Sequence, residues 1–238
     1  MKIEGDRLAA DAGVMMARAV TEAAKAGLAG FEWGIGVPGT IGGSVRGNAG
    51  CFGGQMQDIV ESTAIFDASR ATTYNLQLTT LEFSYRDSIF KRHPEWVILT
   101  ATLKLRRGDP AAIQERVRQI TTERLAKQDI GTKSCGCVFK NIPWERKDVN
   151  REKLLAQFPV LAQFKDRPTI PASFLIDEAG LKGKRTGKVV VSAKHANFFV
   201  NEGGATAEEV AMLALMVKDT VRSKYGLELE EEIQYVGF

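Results

Sequence analysis

Apolar residues recur at helical spacing in three places along the chain. Over Ala12–Ala26, Met15, Ala19 and Ala23 share one face with Met16 and Val20 beside them, and Gly27 ends the pattern. A second stripe, Ile113, Val117 and Ile120, follows Asp109, which can cap, and Pro110, which suits the first helical position. It predicts a helix to about Lys127. The third stripe, Val210, Leu213, Val217 and Val221, opens on Thr206 and Glu209, spaced as a capping box. A shorter helix is predicted over Ser173–Ala179, ended by Gly180. Runs of β-branched and aromatic residues predict strands at Ser62–Asp67, Thr72–Leu76 and Trp96–Leu105. Briefer ones are predicted at Val189–Val191, Asn197–Asn201 and, closing the chain, Glu232–Val236. The opening segment Lys2–Gly13 reads as a short strand and turn. The fold class is α+β, with a change of character near Arg107–Pro110 that divides it into residues 1–107 and 108–238.

Three stretches carry neither period. Gly34–Gly54 reads GIGVPGTIGGSVRGNAGCFGG and holds nine of the chain's 23 glycines. That density predicts no stable helix over Thr40–Gly54. Glycine tolerates positive φ and lets backbone approach a ligand, and successive N–H groups in such a loop can cradle an anion. The competing reading is a flexible linker, against which stand the interleaved Val37, Ile41 and Val45 and the turn at Pro38–Gly39. Gly34, Gly36 and Gly39 satisfy G-x-G-x-x-G, but no convincing strand precedes them, so a Rossmann unit does not follow. Leu81–His93 is too charged for a core strand and reads as a solvated loop. The segment after Pro143, through Asp166, reads as a polar insertion.

Composition narrows the class. With 238 residues, 44% hydrophobic and 26% charged, the chain can bury a core as one large or two modest domains. A net charge of +3 without a basic block argues against nucleic acid as a partner. No apolar run suits a membrane span or a secretory signal. Cys51, Cys135 and Cys137 make no even disulfide set, which suits a reducing, cytoplasmic setting. C-x-C beside only two histidines is poor support for a zinc site, and no metal is expected.

Few residues remain as chemical candidates. Tyr85, Arg86 and Lys91 place a phenol and two cations on one short stretch, suited to an acidic ligand or, equally, to a solvated loop. Cys137 lies in the polar loop Ser134–Asn141. It is either an inert thiol or, with an ordinary pKa of about 8.5, a proton donor. Glu232 closes the acidic run that begins at Glu228, most of which is solvated surface.

In order, these pieces resemble the UDP-N-acetylenolpyruvoylglucosamine reductase family of flavoenzymes. The resemblance rests on GVPGTIGGSVRGNAG at Gly36–Gly50, YRDSIFK at Tyr85–Lys91 and SCGCVFKN at Ser134–Asn141. It continues through LIDEAGLKG at Leu175–Gly183, SAKHANFFVN at Ser192–Asn201 and LEEEIQYVG at Leu229–Gly237. It implies the second half of a two-subdomain FAD-binding domain of the PCMH type, followed by a mixed α/β substrate-binding domain. It also implies reduction of UDP-N-acetylglucosamine enolpyruvate to UDP-N-acetylmuramate, with hydride passing from NADPH through FAD. Gly36, Pro38, Gly39, Thr40, Gly42, Gly43, Asn48 and Gly50 match the loop that contacts FAD. Arg86 matches the arginine that holds the substrate carboxylate, Cys137 the donor of a proton to C2, and Glu232 the glutamate assisting there. Tyr85, Lys140, Asn141 and His195 match positions near the substrate and its diphosphate.

The sequence departs from the family's pattern in three ways. Nothing matching the family's first glycine-rich subdomain precedes Lys2, which implies a truncated member. Asn141-Ile-Pro143 stands where Asn-Pro is usual, and Cys137 where serine is usual. The alternatives are therefore an inactive remnant that still binds a UDP-sugar, or a different flavin oxidase tethering its flavin at His93 or Cys51.

Overall fold

Lys2–Glu4 (β1) and Arg7–Asp11 (β2) form an antiparallel hairpin, turned at Gly5 with φ of 60°. The opening therefore holds two strands where the sequence predicts one. Its outer strand is β1. The inner one pairs along its length with Trp96–Lys104, from Arg7 opposite Lys104 to Asp11 opposite Thr100. Val60–Asp67 (β3), Thr72–Gln77 (β4) and Trp96–Lys104 (β5) complete a wholly antiparallel sheet in the order β1-β2-β5-β3-β4. Helix α1, Met16–Lys25, lays Met16, Ala19, Val20 and Ala23 into the core together with Leu8, Ile65 and Leu103. This computed structural model describes residues 1–129 and 131–237.

Glycine density does not prevent a helix in the loop. Ile41–Arg46 is helical (α2), with the Thr40 hydroxyl accepting from Gly43 N at 3.4 Å. Gly42 and Gly43 cost about 1 kcal/mol each relative to alanine. Burying Ile41 and Val45 completely returns about 1.5–3 kcal/mol apiece, which outweighs that cost. Tertiary bonds secure the start of the helix: Ile41 N donates to Val14 O and Gly42 N to Ala12 O, both at 2.9 Å. A Rossmann unit stays excluded, because the sheet beside α2 is antiparallel.

Leu81–His93 is likewise not a simple solvated loop. Leu81, Ile89 and Phe90 are buried in the first core and Ser88 is buried beside them, while Glu82, Ser84, Tyr85 and Arg92 are exposed. Helix α3, Pro110–Lys127, runs as predicted, with Asp109 accepting from Ala111 N and Ala112 N.

The chain forms two compact units, Met1–Ala126 and Lys127–Phe238. This division falls at the end of α3, whereas the change of character in the sequence lies at its start, near Arg107–Pro110. Ile113 and Ile120 of that helix are buried, and Val117 packs against the first core.

In the second unit, helices α4 (Arg151–Gln157), α5 (Ala172–Glu178) and α6 (Ala207–Tyr225) surround one core with a small sheet. That sheet comprises Arg185–Thr186 (β6), Val189–Val191 (β7) and Phe199–Asn201 (β8), all antiparallel. The capping box of Thr206 and Glu209 forms, and Leu213, Val217 and Val221 are buried. The supposed insertion also contributes to this core, through Trp144, Leu154, Leu161 and Phe164. No strand forms over Glu232–Val236. The pairing is confined to the bridge between Glu231 and Phe139, and the next residue but one on the partner segment, Cys137, bridges Phe198 instead. Among the described residues, no helix is long and apolar enough to cross a membrane.

Candidate active site

The eight loop positions expected at FAD divide into two kinds. Pro38, Gly39 and Gly43 are exposed. A Cβ at Gly39 would meet nothing within 4 Å, and one at Gly43 only the Thr40 hydroxyl at 3.7 Å. The outer side of this turn, around Thr40, is open to a ligand and fits a cofactor that needs close backbone approach.

Gly36, Gly42 and Gly50 answer to packing instead. Their Cβ atoms would meet Arg124 Cδ at 2.8 Å, Ala12 Cβ at 2.7 Å and Gln55 Cβ at 2.6 Å. Asn48 is buried, and its side chain is spent on the protein. Its Nδ2 donates to Ser84 O at 2.8 Å, and its Oδ1 accepts from Gln57 N at 2.9 Å.

The bond to Ser84 ties the glycine loop to the turn that carries Arg86. Ser84 and Asp87 bridge each other, and Arg86 between them has φ of 57°. Its guanidinium donates from Nη2 to Gly50 O at 2.8 Å and from Nη1 to Asn48 O at 3.4 Å. Lys91 Nζ donates to Arg86 O at 2.6 Å. Lys91 thus supports the backbone of the arginine, while Tyr85 is exposed beside it. A cation is in this way fixed at the rim of the glycine loop.

Arg124 of α3 joins the same loop from below, a residue that sequence reasoning missed. It is buried, donates from Nη2 to Cys51 Sγ at 2.6 Å, and lies 5.0 Å from the Phe52 ring centroid. Burial raises the pKa of the Cys51 thiol, and the charges of Arg124 and Arg86 oppose that rise. The signal was present in the sequence, since Arg124 continues the stripe Ile113, Val117, Ile120 at helical spacing.

The second unit gathers its candidates on one backbone ladder. Cys137 bridges Phe198 on one side, and Glu232 N donates to Val138 O at 2.7 Å on the other. Asn197 fixes the middle: its Oδ1 accepts from Phe139 N at 2.9 Å and its Nδ2 donates to Phe139 O at 2.7 Å. Partial burial raises the pKa of Cys135, and the Glu232 charge adds to that rise, so the carboxylate is felt in the cysteine loop. Lys140 joins the ladder through Glu230 O and pairs with the Glu230 carboxylate. Asn141 turns to α5, its Oδ1 accepting from Ala172 N at 3.1 Å.

His195 sits in a turn built on the Ser192 hydroxyl, which accepts from Lys194 N and His195 N and donates to Asp129. Its Nδ1 is buried without a hydrogen-bond partner. Protonation would place N–H on both ring nitrogens. Burial accordingly holds the His195 pKa below its ordinary 6.5, against the opposing effects of a backbone hydrogen bond and Asp129, with Lys182 adding a smaller lowering. A depressed histidine pKa means the unfolded chain binds the proton more readily. Stability is therefore full above the unfolded value and is lost as pH falls through the lowered one. Unfolding midpoints should drop between about pH 7 and pH 5, and His195→Gln should flatten that slope. A variant with the wild-type slope would show that another group carries it.

Residues 128–236 match the family model described as UDP-N-acetylenolpyruvoylglucosamine reductase, C-terminal domain, and residues 1–74 match that of an FAD binding domain. The reductase of Rubrobacter xylanophilus is 36% identical over 237 residues, covering 100% of this chain and 70% of the relative. That of Clostridium tetani is 34% identical, covering 100% of this chain and 68% of its own length. The crystal structure of the Thermus caldophilus reductase superposes with a TM-score of 0.75 at 31% identity, over 98% of this chain and 73% of that one. The chain belongs to the UDP-N-acetylenolpyruvoylglucosamine reductase family.

Proposed function

We propose that this chain reduces UDP-N-acetylenolpyruvoylglucosamine to UDP-N-acetylmuramate, a step of peptidoglycan precursor synthesis in the cytoplasm, with NADPH as hydride donor. Pro38, Gly39, Thr40 and Gly43 hold FAD on the open side of the turn, while Gly36, Gly42, Gly50 and Asn48 build that turn. FAD, when bound, carries hydride from NADPH to C3 of the enolpyruvyl group. Arg86 binds the substrate carboxylate and stabilises the charge that develops next to it, for which a fixed cation needs no reorganisation. Cys137 holds at its Sγ the proton destined for C2, and Glu232 assists by hydrogen bonding at the same centre. Tyr85, Lys140, Asn141 and His195 orient the sugar and its diphosphate.

The observation that carries this reading is the anchoring of Arg86 to Gly50 O at 2.8 Å. The cation suited to the carboxylate is thereby built onto the loop suited to the flavin. Purified chain incubated with FAD and freed of the excess should keep the flavin's visible spectrum, and should turn over NADPH catalytically only when the enolpyruvyl substrate is added. A colourless, inactive protein that still binds a UDP-sugar would sink the reading in favour of a binding remnant. Arg86→Lys should raise KM about tenfold, since lysine cannot keep the loop carbonyl and the carboxylate in one planar fork. An unchanged KM would remove Arg86 from the carboxylate.

A further inference from the structure

The first unit contains a cavity of about 410 Å³ that none of the residues assigned to the reductase reaction lines. Its volume lies within the range of small-molecule sites. Phe52, at the tip of the hairpin pairing Gly50–Cys51 with Gly54–Gln55, forms one wall. Its φ of 50° is rare for an aromatic residue, so the surrounding structure must hold it there. Arg124 over its ring is one such restraint. Trp33 forms a second wall. The bare backbone of Gly54 lies against its indole, and a Cβ there would come within 2.2 Å of Trp33 Cδ1.

The charges around this cavity are unequally satisfied. Glu32 and Asp58 line it, but each carboxylate already accepts a backbone N–H, from Gly30 at 2.8 Å and from Gln55 at 3.0 Å. Lys104, Arg106 and Arg116 also line it. Arg116 reaches Gln119 at 3.4 Å, and among the described residues none of the three cations forms an ion pair. The guanidinium groups of Arg106 and Arg116, with the Lys104 ammonium, which also feels the Glu61 carboxylate, therefore face a space bounded by two aromatic rings. Guanidinium groups suit phosphate oxygens, and a planar ring suits aromatic walls.

We propose that this cavity binds a nucleotide-class anion, with its planar ring against Phe52 and Trp33 and its phosphates on Lys104, Arg106 and Arg116. The proposal is independent of the reductase reading. The test is a calorimetric titration of ADP, and separately of inorganic pyrophosphate, into the chain at low salt with excess FAD present. ADP should bind, and Arg106→Glu with Arg116→Glu should weaken it more than about tenfold. The same charge change at Arg185 and Arg222 of the second unit should leave its affinity within about twofold. Phe52→Ala should weaken ADP and spare pyrophosphate. Absence of ADP binding, or equal affinity in the Arg106/Arg116 variant, overturns the proposal. Pyrophosphate binding as tightly as ADP, indifferent to Phe52, overturns the nucleotide assignment in favour of phosphate alone. Flavin fluorescence, followed in the same variants, reports FAD affinity separately, so failure here is distinguishable from failure of the proposed reaction.

Discussion

Replacing Cys137 by alanine should slow reduction of the enolpyruvyl substrate by about 10²–10⁴-fold, the usual contribution of a positioned general acid. Reduction of FAD by NADPH should change little. The two half-reactions separate because hydride delivery to the flavin needs no proton at C2 of the substrate, whereas turnover of the substrate does. The prediction depends on how firmly the thiol is carried, and the backbone around it is held from both sides. Cys137 bridges Phe198, Val138 N donates to Asn197 O at 2.8 Å, and Val138 O accepts from Glu232 N. Removing Sγ therefore removes a proton without disturbing its frame. Cys137→Ser should recover most of the rate, since a hydroxyl can occupy the same place and donate. Stopped-flow absorbance of the flavin resolves the two steps. Equal loss in both would refute the acid role, and so would an alanine variant with undiminished substrate reduction.

What could be read from the sequence, and what could not, follows from where each element draws its stability. Helices α3 and α6 were legible because a long stripe at helical spacing, opened by Asp109 and Pro110 or by Thr206 and Glu209, is a local signal. Helix α2 was not, because its six residues are stabilised by burial of Ile41 and Val45 and by bonds to Ala12 and Val14. No local rule anticipates those contacts. Trp144, Leu154, Leu161 and Phe164 were hidden for a related reason: they lie among charged residues at irregular spacing and reach a common core only in three dimensions.

The terminal strand failed in the opposite sense. Glu232–Val236 has strand-like composition, but a strand requires a partner, and the segment beside it pairs at Cys137 with Phe198. At the candidate site, the resemblance proposes Arg86, Cys137 and Glu232 but cannot separate the glycines that face outward from those that permit packing. Nor can it show that Asn48 points inward.

Asn48→Ala carries the largest expected loss of stability, because it tests that inward role directly. Asn48 is 1% exposed, with Nδ2 donating to Ser84 O and Oδ1 accepting from Gln57 N. Alanine would leave the part-buried Ser84 carbonyl and Gln57 N–H without their partner, at about 0.5–1.5 kcal/mol each. Asparagine also tolerates the left-handed backbone at this position, φ of 42°, better than alanine does. Together with about 1 kcal/mol for the backbone, the sum is about 2–4 kcal/mol, a large share of the total stability of an ordinary domain. Urea unfolding of the ligand-free chain measures it. With Trp144→Phe as background, the remaining indoles, Trp33 and Trp96, both report on the first unit. A residue whose side chain only touched FAD would leave the ligand-free midpoint unchanged on replacement and lower flavin affinity alone. That outcome would return Asn48 to the cofactor. The expected outcome, a large drop without ligand, makes it the tie through which the glycine loop holds the Arg86 turn in place.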